Sequence, residues 1–138
     1  MTKSILPALA LFALASVPAS AQDNGGADTE VPTKGEIKLA KLLEGRVAGE
    51  PQTCIRDRFE RGFQVIDDTA IVYKIGRTVW VNYTRNPQTL DDDETLVIRR
   101  FGSRLCKQDI VTTVDRFAGF YTGNIFLDDF IPYRLPES

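Results

Sequence analysis

The chain contains no histidine among its 138 residues. Histidine is the commonest general base near neutral pH and the commonest ligand of transition metals in proteins. Its absence excludes Ser-His and Cys-His catalytic arrangements, and two cysteines alone supply too few ligands for a structural zinc site. We therefore predict no catalytic, metal-binding or cofactor-binding residue and no cofactor, and we favour a non-enzymatic protein.

The sequence also lacks an apolar run long enough to cross a membrane. Its longest apolar run lies near the N-terminus. It covers 13 residues, Ile5–Val17, whereas a membrane-spanning helix needs about 20. Lys3 precedes this run and the small-x-small pattern Ala19-Ser20-Ala21 follows it, which is typical of a cleavable signal peptide. We predict that residues 1–21 are removed on export and that the mature protein is soluble, with no transmembrane segment.

The mature chain lacks an excess of basic residues. Removal of residues 1–21 deletes Lys3 from the 17 basic residues, which leaves 16 against 19 acidic residues and a net charge of −3. Such a domain lacks the positive field that neutralises phosphates, so we predict that it does not bind nucleic acid. The remaining length of about 117 residues suits a single domain.

The two cysteines that are present, Cys54 and Cys106, suit a structural disulfide. An exported chain meets an oxidising compartment, which forms and keeps such bonds. A redox motif would instead place two cysteines two residues apart. The predicted bridge closes a loop of about 50 residues, for which the chain-entropy estimate of stabilisation is about 4 kcal/mol.

The composition changes again after the signal peptide. Residues 22–35 are rich in glycine and charge and poor in apolar groups, so we predict a flexible tether. From Glu36 to Arg46 apolar residues recur at three- and four-residue spacing, which predicts one short amphipathic helix. We assign residues 36–138 to a single β-rich domain that begins with this helix.

After Cys54 the apolar period becomes two, in segments rich in β-branched and aromatic residues that turn signals separate. The segments are residues 63–67, 70–75, 78–83, 95–100, 109–114 and 124–127, and residues 130–133 are a candidate closing strand. We predict a mainly β fold, an antiparallel meander of about six strands. Trp80 and Asn82 alternate with Val79 and Val81, so neither face of their strand is cleanly polar. This favours a small barrel or rolled sheet with the helix packed over it, and a two-sheet sandwich is the alternative.

Contiguous carboxylates occur at Asp91–Glu94 and again at Asp128-Asp129. Carboxylates are suitable ligands for Ca²⁺, but the spaced pattern of a folded calcium loop is missing from both segments. We therefore predict solvated turns. Because paired carboxylates also serve as acid and base in hydrolases, a carboxylate-dependent hydrolase stays open as an alternative function.

Arg99, Arg100, Arg104 and Lys107 form a basic group that suits an anionic surface or polymer. Scattered surface charge is the alternative, because adjacent residues of a strand, such as Arg99 and Arg100, point to opposite faces.

Trp80, Asn82 and Arg99 are the residues we consider for a ligand surface on the predicted strands. Aromatic rings stack on sugar rings and bases, which favours such a role. A lone tryptophan on a central strand is, however, more often a core residue, and this alternative also stays open.

Several short motifs follow one another between residues 42 and 133. They are Leu42–Gly49, Cys54-Ile55, Val65-Ile66-Asp67, Trp80-Val81-Asn82, Leu105-Cys106 with Asp109-Ile110-Val111, and Phe130-Ile131-Pro132-Tyr133. In this order they resemble a family of short exported proteobacterial proteins of unknown function. The resemblance implies a periplasmic envelope protein with Cys54 and Cys106 at the family's pair of cysteine positions. It implies no activity, cofactor or catalytic residue.

These features lead to one main functional expectation. We expect a periplasmic, disulfide-stabilised β domain that binds a protein or polymer of the cell envelope or has a structural part there. The alternative is a hydrolase that acts on an envelope polymer through Asp or Glu. A third hypothesis is an accessory protein that pairs with its partner through an exposed strand edge. The sequence does not identify the ligand or partner.

Overall fold

The structure is a computed structural model, which describes residues 31–56 and 63–137. The predicted signal peptide, residues 1–21, lies outside the described residues, and so do residues 22–30 of the predicted tether. Among the described residues, no helix combines the length and the apolar character that a membrane crossing requires.

The helix α1 spans Lys34–Leu43 and begins two residues earlier than predicted. Thr33 caps it, because its hydroxyl accepts from the Glu36 backbone N at 3.2 Å while the Glu36 carboxylate accepts from the Thr33 backbone N at 2.7 Å. This reciprocal capping box satisfies two backbone N–H groups, one of which the helix itself leaves unpaired. Lys34 and Gly35 therefore belong to the helix rather than to the predicted tether.

The described residues contain ten strands, more than the roughly six that the sequence pattern predicts. Three of the additional strands have only two or three residues, which is too short to show an alternating pattern. The strands are β1 Val47–Ala48, β2 Cys54–Arg56, β3 Phe63–Ile66, β4 Ala70–Ile75, β5 Thr78–Asn82, β6 Glu94–Arg99, β7 Arg104–Cys106, β8 Ile110–Asp115, β9 Tyr121–Ile125 and β10 Ile131–Arg134.

All strand pairs are antiparallel, and they form three sheets. One has five strands in the order β1-β10-β5-β4-β3, one is the two-stranded ribbon β2-β7, and one has the order β6-β8-β9. The predicted mainly β, antiparallel fold with one helix is thus confirmed for the described residues. The predicted meander holds within two groups of consecutive predicted strands, β3-β4-β5 and β6-β8-β9. It breaks between β5 and β6, because β10 returns to pair with the free side of β5. The described pairings close no barrel, since β3 and β6 are both edge strands.

Both faces of the five-stranded sheet are buried. On one face Trp80 lies in a hydrophobic cluster with Val111 of the three-stranded sheet and Ile55 of the ribbon. On the opposite face Val79 lies in a second cluster with Leu39 of α1. The two apolar faces of this sheet are therefore covered, by the three-stranded sheet and the ribbon on one side and by the helix on the other.

Candidate functional site

Two of the three residues considered for a ligand surface are buried. Trp80 is 9% exposed and lies in the core between the sheets. Asn82 is fully buried, whereas Arg99 is exposed at the end of β6. Trp80 is therefore a core residue, which is the alternative that the sequence left open. Of the three residues, only Arg99 is accessible to a ligand.

The Asn82 side chain joins β5 to a distant segment of the chain. Its Nδ2 donates to the Asp128 carbonyl oxygen at 2.6 Å, and its Oδ1 accepts from the backbone N of Asp128 and of Thr84, both at 3.0 Å. These three hydrogen bonds use most of the capacity of a buried amide. Asn82 therefore fixes the chain at Asp128 against the end of β5, a structural role that its sequence pattern does not indicate.

The basic residues of the sequence cluster around the connection from β6 to β7. We define the basic loop as Arg99–Arg104, which begins with the last residue of β6 and ends with the first residue of β7. Arg99, Arg100 and Arg104 are exposed, and the phenyl ring of Phe101 between them is 78% exposed. Because large aromatic side chains usually bury most of their surface, an outward ring among three cations is an unusual composition for a surface loop.

The predicted disulfide is confirmed, and it anchors the basic loop. Cys54 and Cys106 lie opposite each other in the β2-β7 ribbon, with an S–S distance of 2.03 Å and Cα atoms 4.0 Å apart. Each cysteine lies within a short strand, whereas the sequence pattern placed each one ahead of a longer strand. Arg104 adds a polar link, since its Nη2 donates to the Cys54 carbonyl oxygen at 2.9 Å. Covalent and polar links together fix the C-terminal end of the basic loop to β2.

A buried carboxylate holds the middle of the basic loop. Asp109 is buried, and its Oδ1 accepts from the Phe101 backbone N at 3.3 Å while its Oδ2 accepts from the Cys106 backbone N at 2.8 Å. Burial of a carboxylate is costly unless donors satisfy it, and here both donors are main-chain groups. Sequence reasoning missed Asp109. The available signal was its place three residues after Cys106, where an Asp side chain commonly bonds to nearby backbone in a turn.

A cleft of about 490 Å³ opens beside the ribbon. Its lining includes the exposed side chains of Ile110 and Phe126 and the cations Arg85 and Lys107. In the register of β6 and β8, Ile110 lies opposite Arg99. A surface of apolar groups and cations therefore continues from the basic loop along one end of the three-stranded sheet.

At the opposite end of β6, three exposed carboxylates meet. Asp67, Asp91 and Asp92 each place one carboxylate oxygen within 4.8 Å of the others. The Asp92 backbone N donates to Asp67 Oδ1 at 2.7 Å, and the Asp68 backbone N donates to the Leu90 carbonyl oxygen at 3.1 Å. The exposure of the acidic loop is as predicted. The approach of Asp67 was not predicted, because it depends on the folding of two distant turns against each other.

The contacts of this carboxylate cluster hold the turn after β3 against the acidic loop before β6. Asp91 Oδ1 accepts from the Asp93 backbone N at 2.8 Å, and Lys38 Nζ lies 3.8 Å from Asp92 Oδ2. Asp67 and Asp91 thus both accept main-chain hydrogen bonds from the same acidic loop. We therefore assign the cluster a structural role.

A second cleft, of about 590 Å³, is lined by residues of β3 and β6. Hydrolases that use an acid and a base place two carboxyl groups about 5 to 9.5 Å apart, on either side of the bond that they break. Among the described residues that line this cleft, the carboxylates all come from one segment, residues 92–94. The part contributed by β3 and α1 consists of Phe63, Gln64, Val65 and Lys38.

Two further aspartates, Asp115 and Asp129, bond to nearby groups. Asp115 Oδ1 accepts from the backbone N of Phe117 at 2.9 Å and of Ala118 at 2.5 Å, which closes the turn between β8 and β9. Asp129 Oδ1 lies 2.9 Å from Lys107 Nζ. These contacts are those of turns and an ion pair, and they do not form a catalytic pair.

A third cleft, of about 410 Å³, lies between α1 and the end of β5 and is bordered by Tyr83. Burial raises the pKa of Tyr83 above its usual value, and the hydrogen bond with Tyr133 acts in the same direction. The two hydroxyl oxygens are 3.1 Å apart. A phenol whose pKa is raised stays neutral, so this pair serves as a polar link and not as a base.

Comparisons of the chain with protein-family models, with curated proteins and with solved structures found no match. The resemblance to a family of exported proteobacterial proteins therefore stays a prediction.

Proposed function

We propose that this chain is an exported periplasmic protein whose disulfide-stabilised β domain is not an enzyme and binds a component of the cell envelope. The observation that carries the proposal is the basic loop, in which Phe101 and three arginines are exposed on a backbone held in place. None of these four side chains is buried in the core. A binding partner would bury the ring and pair with the cations.

Two further features support export to the periplasm. Residues 1–21 have the three regions of a signal peptide, and the Cys54–Cys106 bond is of the kind that oxidising compartments form and keep. The order of motifs that resembles an exported proteobacterial family supports the same location.

In-cell cross-linking tests the binding proposal. A photo-reactive phenylalanine analogue is placed at position 101 of the full chain, and the matched control carries it at position 117, a site 93% exposed at the other end of the sheet. We expect a reproducible light-dependent adduct from position 101 and none from position 117. Absence of any adduct from position 101 would contradict the proposal, and so would equal labelling from both sites.

Location is tested separately in the same cells. We expect the protein in the periplasmic fraction, shortened by the signal peptide, with no thiol accessible to an alkylating reagent after unfolding without reduction. Two alkylated thiols, or a full-length protein in the cytoplasm, would contradict export.

The alternative function, a carboxylate-dependent hydrolase, has one supporting observation. Asp92, Asp93 and Glu94 line the cleft between β3 and β6, which is large enough to admit part of a polymer. The absence of a facing carboxylate in the described lining favours binding over hydrolysis. The test is whether the protein releases soluble fragments from purified envelope polymer. Release that is lost in the Asp92→Asn and Glu94→Gln variants would favour hydrolysis over binding.

A rolled sheet is part of the same proposal. The two larger sheets share one core, and β3 and β6 line a common cleft, which supports a sheet that is rolled but open on that side. Amide hydrogen exchange tests it, because a closed barrel protects the amides of both edge strands. Slow exchange throughout β3 and β6 would favour closure, and fast exchange at alternate residues would favour an open roll.

A further inference from the structure

Charge is separated along β6. The strand begins after Asp91, Asp92 and Asp93 and ends at Arg99, about 17 Å away for a strand of this length. The protein as a whole is mildly acidic, so a uniform charge distribution would be repelled by an anionic surface. Separation of the charges instead turns the basic loop toward such a surface and the acidic end away from it.

The apolar component of the basic loop is a single ring at its outermost part. Phe101 is 78% exposed, and its backbone N is held by Asp109, so the main chain and not the ring is packed against the domain. The arginines before and after it in the sequence are also exposed. An apolar ring surrounded by cations matches the interface of an anionic bilayer, where phosphates lie just outside the acyl chains.

Asp109 and Asp129 are carboxylates near the basic loop, and each of them bonds to other groups of the domain. Both oxygens of Asp109 accept from backbone N–H groups, and Asp129 pairs with Lys107 at 2.9 Å. The loop of a second copy would therefore bring cations against cations, which disfavours self-association through this surface. An anionic partner would instead carry charge complementary to these exposed cations.

The shape of the basic loop favours a bilayer over an anionic protein. A stable protein interface covers about 800 Å² on each partner and places its aromatic anchors in fitted pockets. A single protruding ring gains most of its burial from a fluid phase that closes around it, without a complementary pocket. The disulfide and Asp109 hold the loop before contact, so little conformational entropy is lost on binding.

We propose that the basic loop binds the headgroup layer of an anionic phospholipid bilayer, with the Phe101 ring inserted and Arg99, Arg100 and Arg104 facing lipid phosphates. This inference rests on the proposed binding function and names its partner class. The domain would then associate reversibly with the periplasmic side of a membrane, with its acidic end directed into the periplasm.

Sedimentation with vesicles tests the proposal. The chain, purified as cells process it and with its disulfide intact, is mixed with vesicles of phosphatidylcholine alone or of phosphatidylcholine mixed with phosphatidylglycerol. We expect binding to the mixed vesicles that weakens as salt is added, and no binding to the neutral ones. Equal binding to both, or binding to neither, would overturn the proposal.

Matched variants locate the contact. Arg99→Gln with Arg100→Gln should weaken vesicle binding about 30-fold, since each cation near an anionic surface adds roughly fivefold. The control, Lys41→Gln with Lys74→Gln, removes the same charge from exposed positions elsewhere and should bind like the parent. Phe101→Ser should weaken binding about tenfold, whereas Phe117→Ser should not. Equal effects of test and control variants would overturn the proposal.

Two further measurements separate this inference from the proposed function. Inorganic phosphate at the salt-matched ionic strength should not compete with vesicles, and full competition would assign the loop to soluble phosphates instead of a bilayer. Cross-linking from position 101 to lipid supports the inference. Cross-linking to a protein alone would overturn it and leave the binding function standing, whereas no adduct at all would contradict both.

Discussion

The two ends of β6 and β8 are built from the same pair of strands but use their polar side chains differently. At one end Asp67, Asp91 and Asp115 accept from main-chain N–H groups, and the cations Lys38 and Arg116 lie within 3.9 Å of aspartate carboxylates. At the other end Arg99 and Phe101 are exposed. At the acidic end the exposed side chains themselves hold the loops together. At the basic end the exposed Arg99 and Phe101 lie on a loop that the disulfide and Asp109 hold.

The comparison teaches where each end obtains its rigidity. The acidic end is held by many weak contacts between exposed groups, each of which water and salt weaken. The basic end is held by two strong interactions, the disulfide bond and the hydrogen bonds of the buried Asp109 carboxylate. A surface that binds a partner benefits from the second arrangement, because its backbone is already held in place before contact.

The largest expected effect is loss of the disulfide. The Cys54→Ser, Cys106→Ser double variant should lower the free energy of unfolding by about 4 kcal/mol, because the bond spans 52 residues of sequence and restricts the unfolded chain. Urea unfolding followed by tryptophan fluorescence measures it. Reduction of the parent protein should give the same loss, and reduction of the variant none. A loss below about 1 kcal/mol would show that the basic end does not depend on its covalent anchor.

The second prediction compares one aspartate from each end. Asp109→Ala should cost about 2 to 4 kcal/mol, since it leaves two main-chain donors without their buried acceptor. Asp115→Ala should cost about 1 kcal/mol, because water can reach the Phe117 and Ala118 N–H groups of an exposed turn. Urea unfolding of both variants is the measurement. Equal losses would remove the distinction between a buried and an exposed anchor.

The disulfide and the two covered faces of the sheet could be predicted from the sequence, but the ribbon strands could not. Cys54 and Cys106 can be paired because a chain with a predicted export signal and two cysteines leaves little choice. The alternation of Val79 and Trp80 likewise predicts two covered faces, because the period of a strand is a local property. The ribbon strands β2 and β7 could not be predicted, because three residues carry no period and their pairing is set by the bond between them.

The site was less predictable than the fold for a physical reason. The basic loop is a contiguous stretch, so its composition was visible, but exposure of Phe101 depends on where Asp109 holds the main chain. Asn82 has the local pattern of an outward polar residue, and only its contact with Asp128, far along the chain, makes it a buried structural link. Interactions between distant residues decide both cases, and a single sequence does not reveal them.

The third prediction compares one glycine from each end. Gly35 lies in the first turn of α1 against the turn after β3, where an added Cβ would overlap Thr69 Oγ1 and the Asp67 carbonyl oxygen. Gly35→Ala should therefore cost about 1 to 2 kcal/mol despite the better helix propensity of alanine, because the helix must move away. A Cβ added at Gly102 in the basic loop would have no atom within 4 Å, so Gly102→Ala should be neutral or slightly stabilising. Thermal unfolding of both variants is the check, and a stabilised Gly35→Ala would show that the helix is not seated on this turn.

The smallest expected effects come from the ion pairs of the two ends. Lys38 Nζ lies 3.8 Å from Asp92 Oδ2 at the acidic end, whereas Lys107 Nζ lies 2.9 Å from Asp129 Oδ1 near the basic loop, with both lysines partly exposed. Lys38→Gln should change the free energy of unfolding by about 0.2 kcal/mol, and Lys107→Gln by nearer to 1 kcal/mol, because the shorter and less exposed pair is screened less. Urea unfolding at low and high salt measures both, and the difference should shrink as salt is added. A larger effect of Lys38→Gln would mean that charge pairing, and not the main-chain hydrogen bonds of its aspartates, holds the acidic end together.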